Sequence, residues 1–568
     1  MPLAALPLAT LPLLLLLLVL LRNVVSDYSK LREVPGPQSI CSLKTLLFGL
    51  FGDGTLGKHG LVARHRAYEE AQGEHRLVRI IIWPLLSRLQ FFLCDPDEPV
   101  PRWMNKVDSL REPKMWAAIR LDKSIFALPL GEDWGRHRKL IAPLFSTRSL
   151  TEFLPTIHAT SRALLLTWME AAGSGSCCCE LHAALSAWSL DIIGRIVFGH
   201  DFGAVRELAG KEAVGSCGAV TSGARCADNT ANVEGKGSAR GRMSFAGAVS
   251  TLLPALVRYF RLGRLRHLDR ATTRREHEAS ELLRRTAREV METSRRSAQG
   301  AEGATDAHPT STSPAETSSA AQSFVAKLTA AQDKETGARL SQEEVIQDVG
   351  ALLVAGHETS SNTCCWALHL LATHPATQQA CREQVDAAWA KDGGAPSFET
   401  LFGCDLLLGA IYEALRLFPT VPFTPKLLDA DREVGGVWLR KGTRVSVNKA
   451  AVGKSSAHFT DPDAFDPTRF ARNEYGTHGA KLHAFGSGPR VCVGLRLAEL
   501  EMLSLLAHVL RHFRLAPAAG APPPQEYLDI TVGPKLSGLR LELMPCEGRT
   551  LQPPGPASVP LASTVNTP

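Results

Sequence analysis

Phe485-Gly486-Ser487-Gly488-Pro489-Arg490-Val491-Cys492-Val493-Gly494 sets one cysteine between glycines and an arginine. The run that follows carries Leu497, Leu500, Leu503 and Leu510 at helical spacing, so Cys492 falls at or just before a helix N-terminus. Free N–H groups and the helix dipole favour negative charge there, and a thiolate is what a soft metal centre requires. The glycines let the backbone pass close to a flat cofactor. Arg490, two residues before the sulfur, offers a charged fork to a carboxylate. A lone cysteine is more often structural. Gly486-Ser487-Gly488 does not continue as G-x-G-x-x-G, which weakens a dinucleotide reading.

The complete F-x-x-G-x-R-x-C-x-G string resembles the haem-binding signature of the cytochrome P-450 family. The resemblance covers roughly Val34 to Met544. It implies a haem-thiolate monooxygenase of the eukaryotic microsomal type, with Cys492 as axial ligand of the iron in haem b. Phe485, Arg490 and Gly494 would then stand around the cofactor. It also implies electrons from NADPH through a cytochrome P-450 reductase, with cytochrome b5 as a further donor.

Other motifs stand in the family's order. Trp134 and Arg138, four apart in a predicted helix from Glu132 to Phe145, share one face. W-x-x-x-R is common by chance, but in the family the matching pair reaches a haem propionate. Ser341-Gln342-Glu343-Glu344 reads as a capping box opening a helix that meets no proline before Thr373. At its centre lies Ala355-Gly356-His357-Glu358-Thr359, where Gly356 weakens the helix and the Thr359 hydroxyl can bond the backbone, favouring a kink. By resemblance, Ala355 and Gly356 border the haem, and Glu358 and Thr359 are the acid and alcohol that relay protons to dioxygen. Glu413 and Arg416, on a helix ended by Pro419, together with Arg469, match the family's buried architectural network. Alone, E-x-x-R is usually a surface pair. Two departures stand out: Thr468 replaces the family's glutamate in P-E-R-F, and Lys426 stands where relatives place Arg or His against a propionate. Lysine keeps the charge but not the planar fork.

Composition bounds the rest. In 568 residues, 45% apolar content supplies a large core, and a formal charge of +6 does not indicate nucleic-acid binding. The 13 cysteines show no paired spacing, which argues against a disulfide framework or zinc site. Met1 to Leu21 carries no charge and is close to bilayer length, and Arg22, Lys30 and Arg32 follow it. We expect a transmembrane signal anchor in residues 1–21, a Pro/Gly hinge in 22–37, and a catalytic domain in 38–546 facing the cytosol from the endoplasmic reticulum membrane. A cleavable signal peptide would want a basic n-region and a cleavage site, and neither is present. Low-complexity inserts are expected near 209–242 and 297–323, and a disordered tail over 547–568.

The expected fold is mostly α with a smaller β region, haem lying between the Thr359 helix and the Cys492 helix. The expected reaction inserts one oxygen atom into a lipophilic substrate, sterol ahead of fatty acyl lipid. Phe126, Phe245, Phe423, Leu427 and Leu428 are candidates to pack it. Two rivals stay open. A thiolate-haem isomerase or dehydratase has no use for the Glu358-Thr359 pair; a non-catalytic haem-binding protein would show no substrate-driven NADPH consumption.

Overall fold

The computed structural model describes residues 77–80, 90–93, 116–209, 214–215, 243–302, 323–470 and 482–551, a few positions within these spans excepted. The expected anchor, the hinge, most of the 209–242 insert, residues 303–322 and the tail beyond 551 lie outside the described residues. The helices that build the site are α1 (Glu132–Ile141), α2 (Thr147–Ala172), α3 (Leu181–Ile193), α4 (Phe245–Leu262) and α5 (Arg270–Glu302). They continue with α6 (Gln342–Thr373), α7 (Pro375–Asp392), α8 (Asp405–Leu417) and α9 (Leu495–His512). Strands are few and short. β1 (Leu77–Ile80), β2 (Gln90–Leu93), β5 (Lys426–Leu427) and β6 (Arg444–Val447) form one sheet in the order β1-β2-β6-β5, only β2 and β6 being parallel. β3 (Cys177–Glu180), β4 (Val214–Gly215), β7 (Phe513–Pro517) and β10 (Arg540–Pro545) form an antiparallel sheet in the order β4-β3-β10-β7. β8 (Glu526–Leu528) and β9 (Val532–Pro534) pair as a ribbon. The fold is mostly helical with a small sheet region, as expected.

The long helix α6 organises the packing. Ser341 Oγ accepts from the Glu344 N–H and the Glu344 carboxylate takes the Ser341 N–H at 2.7 Å, closing the capping box. Buried residues lie on every face, among them Trp366, Leu353, Cys364 and Asp348, so α6 runs through the core. Fully buried apolar side chains such as Leu353 each contribute about 1.5–3 kcal/mol. A Cβ on Gly356 would stand 2.7 Å from Ile193 Cδ1 of α3. Gly356 is therefore a close-approach point, and α6 passes through it without a break.

α3 begins at Leu181, where the Glu180 carboxylate accepts from the His182 and Ala183 N–H groups. It ends in a π-helical turn, Gly194–Phe198, stopped by Gly199 at φ 65°. α5 extends to Glu302, into the stretch expected to be unstructured, since its Ala, Gln and Glu are good helix formers. The tail expected to start at Glu547 is docked at first. Arg549 forks onto Asp386 of α7 at 2.6 Å through each oxygen, and Leu551 packs on the core. Among the described residues one stretch, Leu181–Phe198, is long and apolar enough to cross a membrane, but 72% of it is buried inside the fold.

Candidate active site

The cysteine loop is held by its own backbone. The Cys492 N–H donates to Phe485 O at 2.9 Å and the Gly486 N–H to His483 O at 2.8 Å, with Gly486 at φ 76°. Gly494 is the N-cap of α9, so Cys492 stands two residues ahead of that cap. Arg490 ties the loop to the segment before α1, donating to Ile125 O (3.2 Å) and Leu128 O (2.6 Å), and its guanidinium lies 4.5 Å over the Trp134 ring. Cys492 is exposed, and the exposure is to a cavity of about 350 Å³. Burial pushes its thiol up; the Gly494 N–H and the charges of Arg138 and Lys449 pull it back.

The long helix α6 contributes Ala355, Gly356, Thr359, Ser360 and Thr363 to the wall of that cavity. Thr359 Oγ1 donates to Ala355 O at 2.8 Å, which leaves its lone pairs free to accept. The π-helical turn adds Ile196 and Val197, and Phe126, Phe145 and Phe324 make the wall aromatic. Trp134, Arg138, Phe485, Arg490, Cys492 and Gly494 all line the same space.

Some expected residues stand elsewhere. Glu358 is not in the wall; its Oε2 accepts from Thr531 Oγ1 at 2.8 Å, ahead of β9. Lys426 is buried in β5 and does not line the cavity, whereas Lys449 does. Burial, together with the charge of Lys426, holds Lys449 down at about 8, although Cys492 raises it. Of the five apolar candidates for the pocket, only Phe126 lines it: Phe245 stacks on Phe202 at 3.8 Å, Leu427 is exposed and Leu428 is core.

Glu413, Arg416 and Arg469 lie together in the core. Arg416 donates to both oxygens of Glu413, at 2.5 and 2.8 Å, and to Gly453 O and Ala464 O, at 2.6 and 2.7 Å; neither side chain is exposed. Arg469 Nε stands 3.8 Å from Glu413 and its Nη2 donates to Asp461 O at 3.0 Å. Thr468, in place of the family's glutamate, is exposed and donates to Asp466 at 2.6 Å in a local turn, outside the triad.

A sequence profile described as Cytochrome P450 matches residues 107–540. The chain belongs to that family. Among curated cytochromes P450, the human 25-hydroxyvitamin D-1 alpha hydroxylase, mitochondrial, is 36% identical over 201 residues, 34% of this chain and 40% of that protein. Cytochrome P450 4V2 of Mus musculus is 34% identical over 193 residues, 34% of this chain and 37% of that protein. The matched stretch thus spans about two fifths of each relative's length. The crystal structure of the cytochrome P450DA heme domain shares the fold, with a TM-score of 0.69 at 20% identity, covering 92% of this chain and 98% of that one.

The cavity's chemistry fits the haem that this family carries. Cys492 presents one sulfur donor, and Arg138, Lys449 and Arg490 supply cations suited to a dianionic porphyrin with carboxylate arms. Among the described residues no carboxylate pairs with Arg138; burial lowers it, Cys492 raises it and Arg490 lowers it again. Lys426 and Lys449 also bear on His483, which burial first of all holds down at about 4. A residue that the sequence reading missed is Glu501 of α9, a carboxyl in the cavity wall. Its one visible signal was its place on the inward stripe of the helix after the cysteine, where an acid is out of pattern.

Proposed function

We propose that this protein is a haem-thiolate monooxygenase that inserts one oxygen atom from dioxygen into a lipophilic substrate, a sterol ahead of a fatty acyl lipid. The observation that carries the reading is that Cys492, just ahead of α9, and Thr359 of α6 line one largely apolar cavity. Bound haem supplies one-electron and dioxygen chemistry, and thiolate donation favours O–O cleavage. Cys492 would hold that group through its sulfur, and Arg138, Arg490 and Lys449, with Trp134 beside them, would meet its carboxylates. Thr359 keeps a hydroxyl in the wall to accept and pass a hydrogen bond. Glu358, one residue before Thr359, accepts from Thr531 on one of its two oxygens. Phe126, Phe145, Ile196 and Val197 exclude water and fit an apolar body.

Electrons would come from NADPH through a reductase, with cytochrome b5 as a further donor. Residues 1–21 would tether the protein to the endoplasmic reticulum. The human relative's name, a hydroxylase of 25-hydroxyvitamin D, supports lipid hydroxylation, and its word "mitochondrial" marks the competing location. Purified protein titrated with cholesterol, dodecanoic acid and phenol should give a spin-state shift and reductase-supported NADPH consumption with the lipids. A shift and turnover with phenol alone would overturn the lipid assignment. Absence of product with every substrate, despite a thiolate-type spectrum, would overturn the monooxygenase reading.

A further inference from the structure

A second cavity, of about 580 Å³, lies between α2, α7 and the C-terminal end of α9, and it shares no wall residue with the cavity of Cys492. Its wall is basic. Arg162 comes from α2, and His508, Arg511 and His512 from α9; among the described residues Asp386 of α7 is its one carboxylate. That carboxylate is already taken. Arg549 donates to each of its oxygens at 2.6 Å, and Arg511 to one of them at 3.1 Å. Arg382, buried nearby, rests on Leu510 O, Phe513 O and the Cys546 sulfur rather than on an acid. Arg162 has no ion-pair partner among the described residues, and its Nε is buried without an acceptor. Residues 552–568, which follow Leu551 in the wall, contain no Asp or Glu to balance these charges.

The histidines register the same excess of positive charge. His158 Nε2 meets Pro396 O at 2.9 Å and so must donate, which leaves its Nδ1 to accept from His508 Nε2 at 3.0 Å. His508, 2% exposed, keeps an Nδ1 with no partner. Burial first, then His158, His512, Arg162 and Arg511, hold His508 well below its ordinary value. Arg511 is lowered by burial and by Arg549, against the pull of Asp386. Half-buried cations with too few carboxylates are costly unless an anion joins them. We propose that this cavity is a binding site for a phosphate-bearing anion, held by Arg162 and Arg511. A phosphate has oxygens enough for two guanidiniums at once, which a carboxylate lacks. Arg511 is preorganised, fixed by Asp386 and stacked 5.0 Å over the Trp389 ring. The volume falls within the range of about 300–1,000 Å³ typical of small-molecule sites. Docking of the Arg549 segment on α7 would explain Arg511 and Arg549, but it leaves Arg162 and His508 without a role. The assignment is independent of the reaction at Cys492.

The test titrates the full haem-loaded chain, in dodecyl maltoside and phosphate-free buffer, with inorganic phosphate, pyrophosphate and acetate, followed by calorimetry and phosphorus NMR line width. The wild type should bind phosphate and pyrophosphate saturably, one per chain, with no shift of the Soret band, and acetate more weakly. Arg162→Gln and Arg511→Gln should each weaken binding about tenfold or more, as for a lost charge-assisted hydrogen bond, and Arg162→Lys should recover part of that. Phosphate should raise the melting temperature of the wild type and that of Arg162→Gln far less. Without phosphate, Arg162→Gln should melt at or above the wild type, because its guanidinium has no ion pair in the fold to lose. Dihexanoyl phosphatidic acid assigns the source: binding tighter than phosphate makes the occupant a lipid headgroup, and equal or weaker binding makes it a soluble phosphate compound. The site is overturned if neither phosphate nor pyrophosphate binds saturably, if both glutamine variants keep the wild-type affinity, or if acetate binds as tightly as phosphate. Melting of Arg162→Gln below the wild type in phosphate-free buffer would make Arg162 a structural residue and overturn its part in the site.

Discussion

Cys492 concentrates the residue-scale physics. Its thiol is raised by burial and lowered by the Gly494 N–H, Arg138 and Lys449, so this site is built to hold sulfur as an anion once a metal compensates the burial. Cys492→Ala should therefore abolish the red-shifted Soret band of the reduced carbon monoxide complex. Survival of that band would move the ligand elsewhere. The loop was legible because each fixed position answers a separate demand, and Phe485, Arg490, Cys492 and Gly494 all line the cavity. Lys449 and Glu501 were not legible. Each takes its surroundings from distant parts of the chain: Lys426 and Cys492 for the lysine, Ser360 for the acid. No local spacing encodes those neighbours. Lys426 and Glu358 show the converse, being correct residue types at motif positions whose side chains are engaged away from the cavity wall.

At the scale of elements, the helices were readable from capping and periodicity, while their contacts were not. The Ser341 capping box and the run to Thr373 were plain in the sequence, but Gly356 looked like a point of weakness. The contact with Ile193 gives a different reason for the glycine. Gly356→Ala should gain up to about 1 kcal/mol of helix propensity. It should lose about 1–3 kcal/mol to overpacking, for a net destabilisation. Adding Ile193→Val should recover part of that loss, and additive effects in a double-mutant cycle would refute the contact. The start of α6 makes a second prediction. Burial raises Glu344, but Arg136 and the Ser341 N–H and hydroxyl outweigh it and hold the carboxyl down at about 2, against an ordinary 4.5. A depressed carboxyl stabilises the fold above its unfolded value and loses that contribution as pH falls through the folded one. The urea midpoint of the wild type should thus drop, relative to Glu344→Gln, between pH of about 4.5 and about 2. Glutamine can keep the capping box, so parallel curves for the two proteins would show that the charge contributes nothing.

In the chain the apolar segment of residues 1–21 precedes a helical body. The apolar helix within it, Leu181–Phe198, is a poor membrane span because burying Trp188, Ile192 and Phe198 against neighbouring helices is what holds α3 in place. Moving such a helix into lipid would unfold the wall that carries Ile196 and Val197. Deleting Met1 to Leu21 should accordingly give a protein that binds haem, shows the same reduced carbon monoxide band, and washes off membranes in carbonate. The full chain should stay in the pellet, in the fraction that carries endoplasmic reticulum markers. Co-fractionation with mitochondria would replace the proposed location and with it the reductase. Carbonate-resistant binding by the truncated form would mean that a segment other than 1–21 inserts, and the single-anchor topology would fall.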